Sequence, residues 1–148
     1  MSIIMKKAIL SIITVIGLLQ STDAQTTPAV KFHVFVLVNA NGNDSTSTVT
    51  ITANSKPYKT LASTGRALPL DLDLNTYYLV KCTRAGYQDK TIVIDTKVPK
   101  GRELQKFAQF NCYVDLLKNN NTKPTNKPIG GVKYNPTINE FDQDQSIK

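Results

Sequence analysis

From residue 30 to residue 117 apolar and polar side chains alternate along the chain. Val30, Phe32, Val34, Val36 and Val38 fall on one side of an extended segment, and a period of two marks a strand with one buried face. Thr48–Ala53 is a β-branched run, suited to a pleated surface. Ser55, Lys56 and Pro57 break it, and 58–62 reads as a short third strand. Leu68, Leu70, Leu72 and Leu74 alternate with Pro69, Asp71 and Asp73, Pro69 suggesting an edge position. Tyr78, Val80 and Cys82 share one face of 77–83, Ile92 and Ile94 one face of 90–96, and Phe110, Cys112, Val114 and Leu116 one face of 106–117.

Turn-forming clusters separate these runs: Asn39 to Asp44, Ser63 to Arg66, Asn75-Thr76 and Arg84 to Tyr87. About seven short strands and no helical period beyond residue 24 predict an all-β fold, an antiparallel β-sandwich built from hairpins. At Lys118 the composition changes. Residues 119–128 are Asn-, Thr-, Lys- and Pro-rich and read as a linker. Ile129, Val132, Tyr134, Ile138, Phe141 and Ile147 then restore some apolar character to an extended tail that either packs on the sandwich or waits for a partner. The expected organisation is a signal peptide over 1–24, a β-sandwich domain over 29–118 and a linker and tail over 119–148.

The N-terminus sets the compartment. Lys6 and Lys7 precede an apolar run from Ala8 to Leu19, followed by a polar stretch ending on Ala24. That is the pattern of a secretory signal helix with a small-residue cleavage site. The run is short of the ~20 apolar residues that span a bilayer, so no transmembrane anchor is expected in the mature chain. Cleavage after Ala24 would start the mature chain at Gln25 and leave 124 residues, enough for one domain. It removes Lys6, Lys7 and Asp23, so the net charge falls from +7 to +6. The remaining lysines are scattered rather than clustered, which argues against nucleic acid as a partner and leaves weak attraction to anionic surfaces. Periplasm or extracellular space is the expected location.

The stretch from Gly65 to Tyr87, with Gly65 in a turn, Tyr78 in a strand and Gly86-Tyr87 closing it, resembles the carboxypeptidase-regulatory, transthyretin-like β-sandwich family. The likeness extends over roughly 30–118, and the tail from Pro128 to Asp142 looks like versions found in bacterial envelope proteins. A Gly-x-Val opening strand is not clear around Val49. The resemblance implies an Ig-like fold and a non-catalytic accessory module, and fold alone does not choose a function.

Few residues carry chemistry. Cys82 and Cys112, both on inward faces, are candidates for a disulfide in an oxidising compartment; the alternative is two buried thiols acting as small apolar side chains. His33 is the one histidine, so a histidine-rich metal site is excluded, and an outward structural role is expected. Asp142-Gln-Asp144-Gln-Ser146 resembles the start of a calcium loop, but Ile147 stands where Gly is needed. Asp71 and Asp73 read as the solvent face of their strand. No nucleophile elbow and no phosphate loop is present, and nothing calls for a cofactor. Tyr77, Tyr113 and Tyr134 are candidates for an exposed binding surface. The reading is a non-enzymatic exported β-sandwich acting by protein–protein contact in the bacterial cell envelope. The alternative is a carbohydrate- or ligand-binding module using the tyrosines.

Overall fold

The computed structural model describes residues 29–40, 46–120 and 127–147. The signal peptide, its cleavage point and the middle of the linker lie outside the described residues. Those described form nine strands: β1 Lys31–Asn39, β2 Ser47–Ala53, β3 Lys56–Ser63, β4 Leu68–Asp73, β5 Tyr77–Thr83, β6 Lys90–Asp95, β7 Phe110–Asp115, β8 Gly130–Asn135 and β9 Glu140–Gln143. No helix among them is long and apolar enough to cross a membrane.

The strands form a small sheet of order β4-β1-β7 and a large sheet of order β3-β2-β5-β6-β8-β9. The alternation does what the pattern predicts. Phe32, Val34, Val36 and Val38 of β1, Val49 and Ile51 of β2, Leu70 and Leu72 of β4, and Tyr78, Val80 and Cys82 of β5 are buried in a single cluster drawn from both sheets. Phe32 of the small sheet stacks on Phe141 of the large one at 3.9 Å between ring centroids. Tyr78 is wholly buried, and its hydroxyl accepts the Asp73 backbone N–H at 3.0 Å, which satisfies the one polar atom it carries inward.

Two pairings are parallel, β1 with β7 and β6 with β8, where hairpins alone predict antiparallel neighbours throughout. The physical reason is that the chain changes sheets. It leaves β6 in the large sheet, enters β7 in the small one and returns for β8, and such crossovers permit parallel neighbours where a tight hairpin does not. The proline-broken stretch at Ser55 is also shorter than the pattern implies. Asn54 and Ser55, at φ 48° and 66°, make a two-residue turn of the kind that matches strand twist. Strand β3 then resumes at Lys56 and accommodates Pro57, because it lies at a sheet edge.

Much of the tail is sheet. Strands β8 and β9 form a hairpin on the far side of β6. Its presence explains why Val93 is buried as well as Ile92 and Ile94. Val93 pairs in register with Gly131, and the end of the chain folds over that spot. A Cβ on Gly131 would lie 2.6 Å from Ile147 Cδ1 and 3.3 Å from both Asp144 Cβ and the Val93 carbonyl oxygen. Asp144 N–H donates to the Gly131 carbonyl at 2.8 Å, and Lys133 Nζ pairs with Asp144 Oδ1 at 2.5 Å. The Lys133 and Ser146 hydrogen bonds hold the Asp144 carboxyl down at about 2.

Candidate interaction surface on the small sheet

The small sheet turns Val34, Val36, Cys112 and Val114 inward and leaves the intervening residues of β1, β4 and β7 on its outer face. Phe35 sits between Pro69 and Asn111 across the strands, and Leu37 sits beside Tyr113. Phe35 and Leu37 are half-buried, and Tyr113 is 70% exposed. At one end of this apolar stripe Lys31 pairs with Asp73, and His33 Nδ1 lies 2.6 Å from Asp71 Oδ1. At the other end Asn39 Nδ2 donates to Asp115 Oδ1 at 3.1 Å. An apolar centre inside a polar rim is the anatomy of a protein interface.

Strand β7 is an edge of this sheet. Leu116 N–H donates to the Asn39 carbonyl at 2.7 Å, so even-numbered residues of β7 turn their backbone groups toward β1. The odd-numbered Asn111, Tyr113 and Asp115 turn theirs away from it. No strand among the described residues pairs with that side. Beside it lies a cleft of about 260 Å³ between the small and large sheets, lined by Ile92, Phe110, Cys112, Ile129, Gly130 and Val132 among others. Gly130 is in register with the inward-facing Ile92, and a Cβ there would meet nothing within 4 Å. The cleft is thus the space of an absent inward side chain on β8. The rest of the inner face of β8 and β9 is covered, with Phe107 edge-on to Tyr134 and Phe141 at centroid distances of 6.0 and 4.9 Å.

The three tyrosines singled out from the sequence do not come together. Tyr113 lies on the outer face of the small sheet. Tyr77, 44% exposed, lies on the outer face of the large sheet, opposite the buried Tyr78. Tyr134 is half-buried against Phe107 and Phe141, and its hydroxyl donates to Asn139 Oδ1 at 2.9 Å. A flat aromatic platform needs rings on one face, and this arrangement does not provide one from these three.

Cys82 and Cys112 are both buried, as expected, but they are free thiols; the disulfide expected as one alternative is not formed. They belong to different sheets, β5 and β7. Facing sheets can be bridged where two inward Cβ atoms meet at about 4 Å, and these two thiols are not so placed. Burial pushes both thiols up to about 12, with Cys112 adding to the rise at Cys82. Such thiols are poor nucleophiles. His33 faces out from β1 while Cys112 faces in from the neighbouring β7, so the two do not form a dyad. His33 and Asp71 are cross-strand partners on an exposed sheet face. Among the described residues no group of three or more His, Cys, Asp or Glu is placed to hold a metal. Asp144 is engaged by Lys133 and Ser146, and Asp142 by Asn135 and the Gln143 N–H.

No protein-family model matches the chain, and no curated protein matches its sequence. The edge of β7 and the glycine-made cleft escaped the sequence reading. The signal for the cleft was Gly130-Gly131 at the head of a short alternating run; it becomes legible only once that run is known to be a strand paired with β6.

Proposed function

We propose that this protein is an exported β-sandwich of the bacterial cell envelope that acts by protein–protein contact, in an accessory or assembly role, without catalysing a reaction. The observation that carries the reading is the outer face of the small sheet: Phe35, Leu37 and the exposed Tyr113 within a rim of paired polar groups. Tyrosine is enriched at energetic centres of interfaces because it combines a large apolar ring with a hydrogen-bonding tip. Export is supported by the sequence alone, through the Lys6 to Ala24 pattern. The transthyretin-like assignment belongs to the same proposal. Its support is that Gly65 and Gly86 adopt φ 77° and 79°, as tight turns at those places require, and that Tyr87 packs against the core with the Arg84 guanidinium 4.6 Å from its ring centroid.

The test pairs matched substitutions on the two outer faces. Leu37→Glu and Leu79→Glu both place a charge at a half-buried outward position, one on each sheet. The tagged full chain is cross-linked in cells and recovered from the envelope fraction. A cross-linked partner band lost in Leu37→Glu and kept in Leu79→Glu is the expected result. Equal bands in both variants contradict the reading, as does recovery of the chain in the cytoplasm with its leader uncleaved.

A further inference from the structure

The four edges of the two sheets are not alike. The β3 edge carries Lys56, Pro57 and Lys59, and the register shifts at Ile51/Thr52 of its neighbour. The β4 edge carries Pro69 and Asp71. The β9 edge is four residues long. Lysine, proline, bulges and shortness are the devices by which proteins keep sheet edges from pairing with other chains. Strand β7, Phe-Asn-Cys-Tyr-Val-Asp over 110–115, has no lysine, no proline and no register shift against β1. The unguarded edge is also the one beside the cleft.

We infer that the β7 edge is an acceptor for an extended segment of a protein partner, which adds a fourth strand to the small sheet and buries an apolar side chain in the space left by Gly130. This rests on the contact reading above and names the mode of contact. The chemistry of the edge specifies the occupant. The N–H and C=O groups of Asn111, Tyr113 and Asp115 recur about every 6.8 Å along the edge, and an extended polypeptide presents matching groups at that spacing. The cleft specifies one face of that segment. At about 260 Å³ it exceeds the roughly 150 Å³ apolar cavity that holds a benzene molecule, so an aliphatic or phenyl side chain fits. Charge specifies the flanks. Lys118 follows β7 and Lys127 precedes Ile129 at the cleft, both exposed, Asp115 on the edge itself is engaged by Asn39, and the chain beyond its leader carries +6, so acidic residues at the ends of the segment are favoured.

Area argues against a second copy as the occupant. The edge is about 20 Å long. Two globular chains meeting along it alone would bury a few hundred Å² each, against the roughly 800 Å² per partner of a stable interface. A second copy would offer the same backbone pairing, but its β7 already turns Cys112 and Val114 into its own core and has no apolar side chain for the cleft, whereas a free extended segment does.

The test uses the purified full chain and a panel of heptapeptides labelled through an N-terminal glycine, fluoresceinyl-Gly-Asp-Thr-X-Thr-X-Thr-Asp-amide, with X as Val, Ile, Leu or Phe, read by fluorescence anisotropy. At least one peptide is expected to bind saturably, and its backbone N-methylated version at least tenfold more weakly. Gly130→Leu fills the cleft from within and should weaken binding at least tenfold, with circular dichroism unchanged. Tyr113→Pro removes an N–H that points away from β1 and should do the same. Absence of saturable binding by the panel overturns the inference, and so does binding unaffected by N-methylation and by Gly130→Leu. A dimer in sedimentation that Tyr113→Pro dissolves would assign the edge to a second copy and overturn it too. If the peptides fail while Leu37→Glu still abolishes the envelope cross-link, the contact reading stands and the strand-acceptor inference alone falls.

Discussion

Gly130 and Gly131 are neighbours in sequence with opposite expected responses to one methyl group. Gly130 faces the cleft, and an added Cβ meets nothing within 4 Å. Neither glycine is at positive φ, so Gly130→Ala restricts the unfolded chain without straining the native one and should stabilise by about 0.4–1 kcal/mol. Gly131 faces the outer side beneath Ile147. Its Cβ would lie 2.6 Å from Ile147 Cδ1, where ordinary carbon contacts are about 3.5–4.0 Å, so Ile147 must withdraw by about 1 Å. Ile147 is half-buried, and full burial of such a side chain contributes about 1.5–3 kcal/mol. Losing roughly half of that, about 0.75–1.5 kcal/mol, offset by the same unfolded-state gain of about 0.4–1 kcal/mol, leaves Gly131→Ala destabilised by up to about 1 kcal/mol. Asp144 Cβ and the Val93 carbonyl oxygen, both at 3.3 Å, push the cost to the upper end. The neighbouring substitutions should therefore differ by about 1.5 kcal/mol in urea unfolding, or about 3–9 °C in Tm. Adding Ile147→Ala should shrink the Gly131→Ala effect, since the two residues touch. Shifts of the same sign and size for both glycines would refute the β6–β8 register and the clasp of the C-terminus over it.

Three further outcomes follow from the packing and charge of the same fold. The Cys82 and Cys112 thiols are pushed from 9 to about 12 in the folded protein, so folding favours their protonated forms; that stability is complete below about pH 9 and declines from there to about pH 12. Each thiol should contribute a slope of up to about 1.4 kcal/mol per pH unit, and the urea midpoint of a Cys82→Ala/Cys112→Ala chain should fall less steeply over this range. Asp144 is held at about 2, below its usual 3.8; the stability it gives is present above about pH 4 and is lost as pH falls toward 2. Asp144→Asn should flatten that acid limb by less than about 1 kcal/mol, because Lys133 is half-exposed, as the urea midpoint followed from about pH 5 to about pH 2 would read. Ser55→Gly should stabilise by about 0.5–1 kcal/mol in thermal unfolding, because Ser55 holds φ 66° in a turn that favours Asn-Gly.

Strands β1, β4, β5 and β7 were legible because each carries its own period of two, and the side chains that alternation turns inward, from Phe32 to Val114, are nearly all found buried; β2 was legible from its β-branched run and β3 only from the turn signals around it. The hairpin of β8 and β9 was not, because its first residues are Gly130 and Gly131 and its partner β6 is distant in sequence. A hint lay in Ile92-Val93-Ile94, three consecutive apolar residues, which imply a strand covered on both faces. Pairing of the cysteines could not be read from inward orientation, because that places each thiol in the core without saying which sheet it enters from. The apolar outer stripe was half-visible. Phe35 and Leu37 interrupt the polar side of β1, but their juxtaposition with Tyr113 depends on the parallel β1–β7 register.

Contact through the small sheet is the central claim, and site-specific photo-cross-linking tests it most directly. A benzophenone side chain replaces Tyr113 in one chain and Tyr77 in another, both rings being exposed but on opposite faces. Irradiation of intact cells should give a discrete protein adduct from position 113 and none from position 77. Adducts from position 77 alone, or the same adducts from both, would contradict the account.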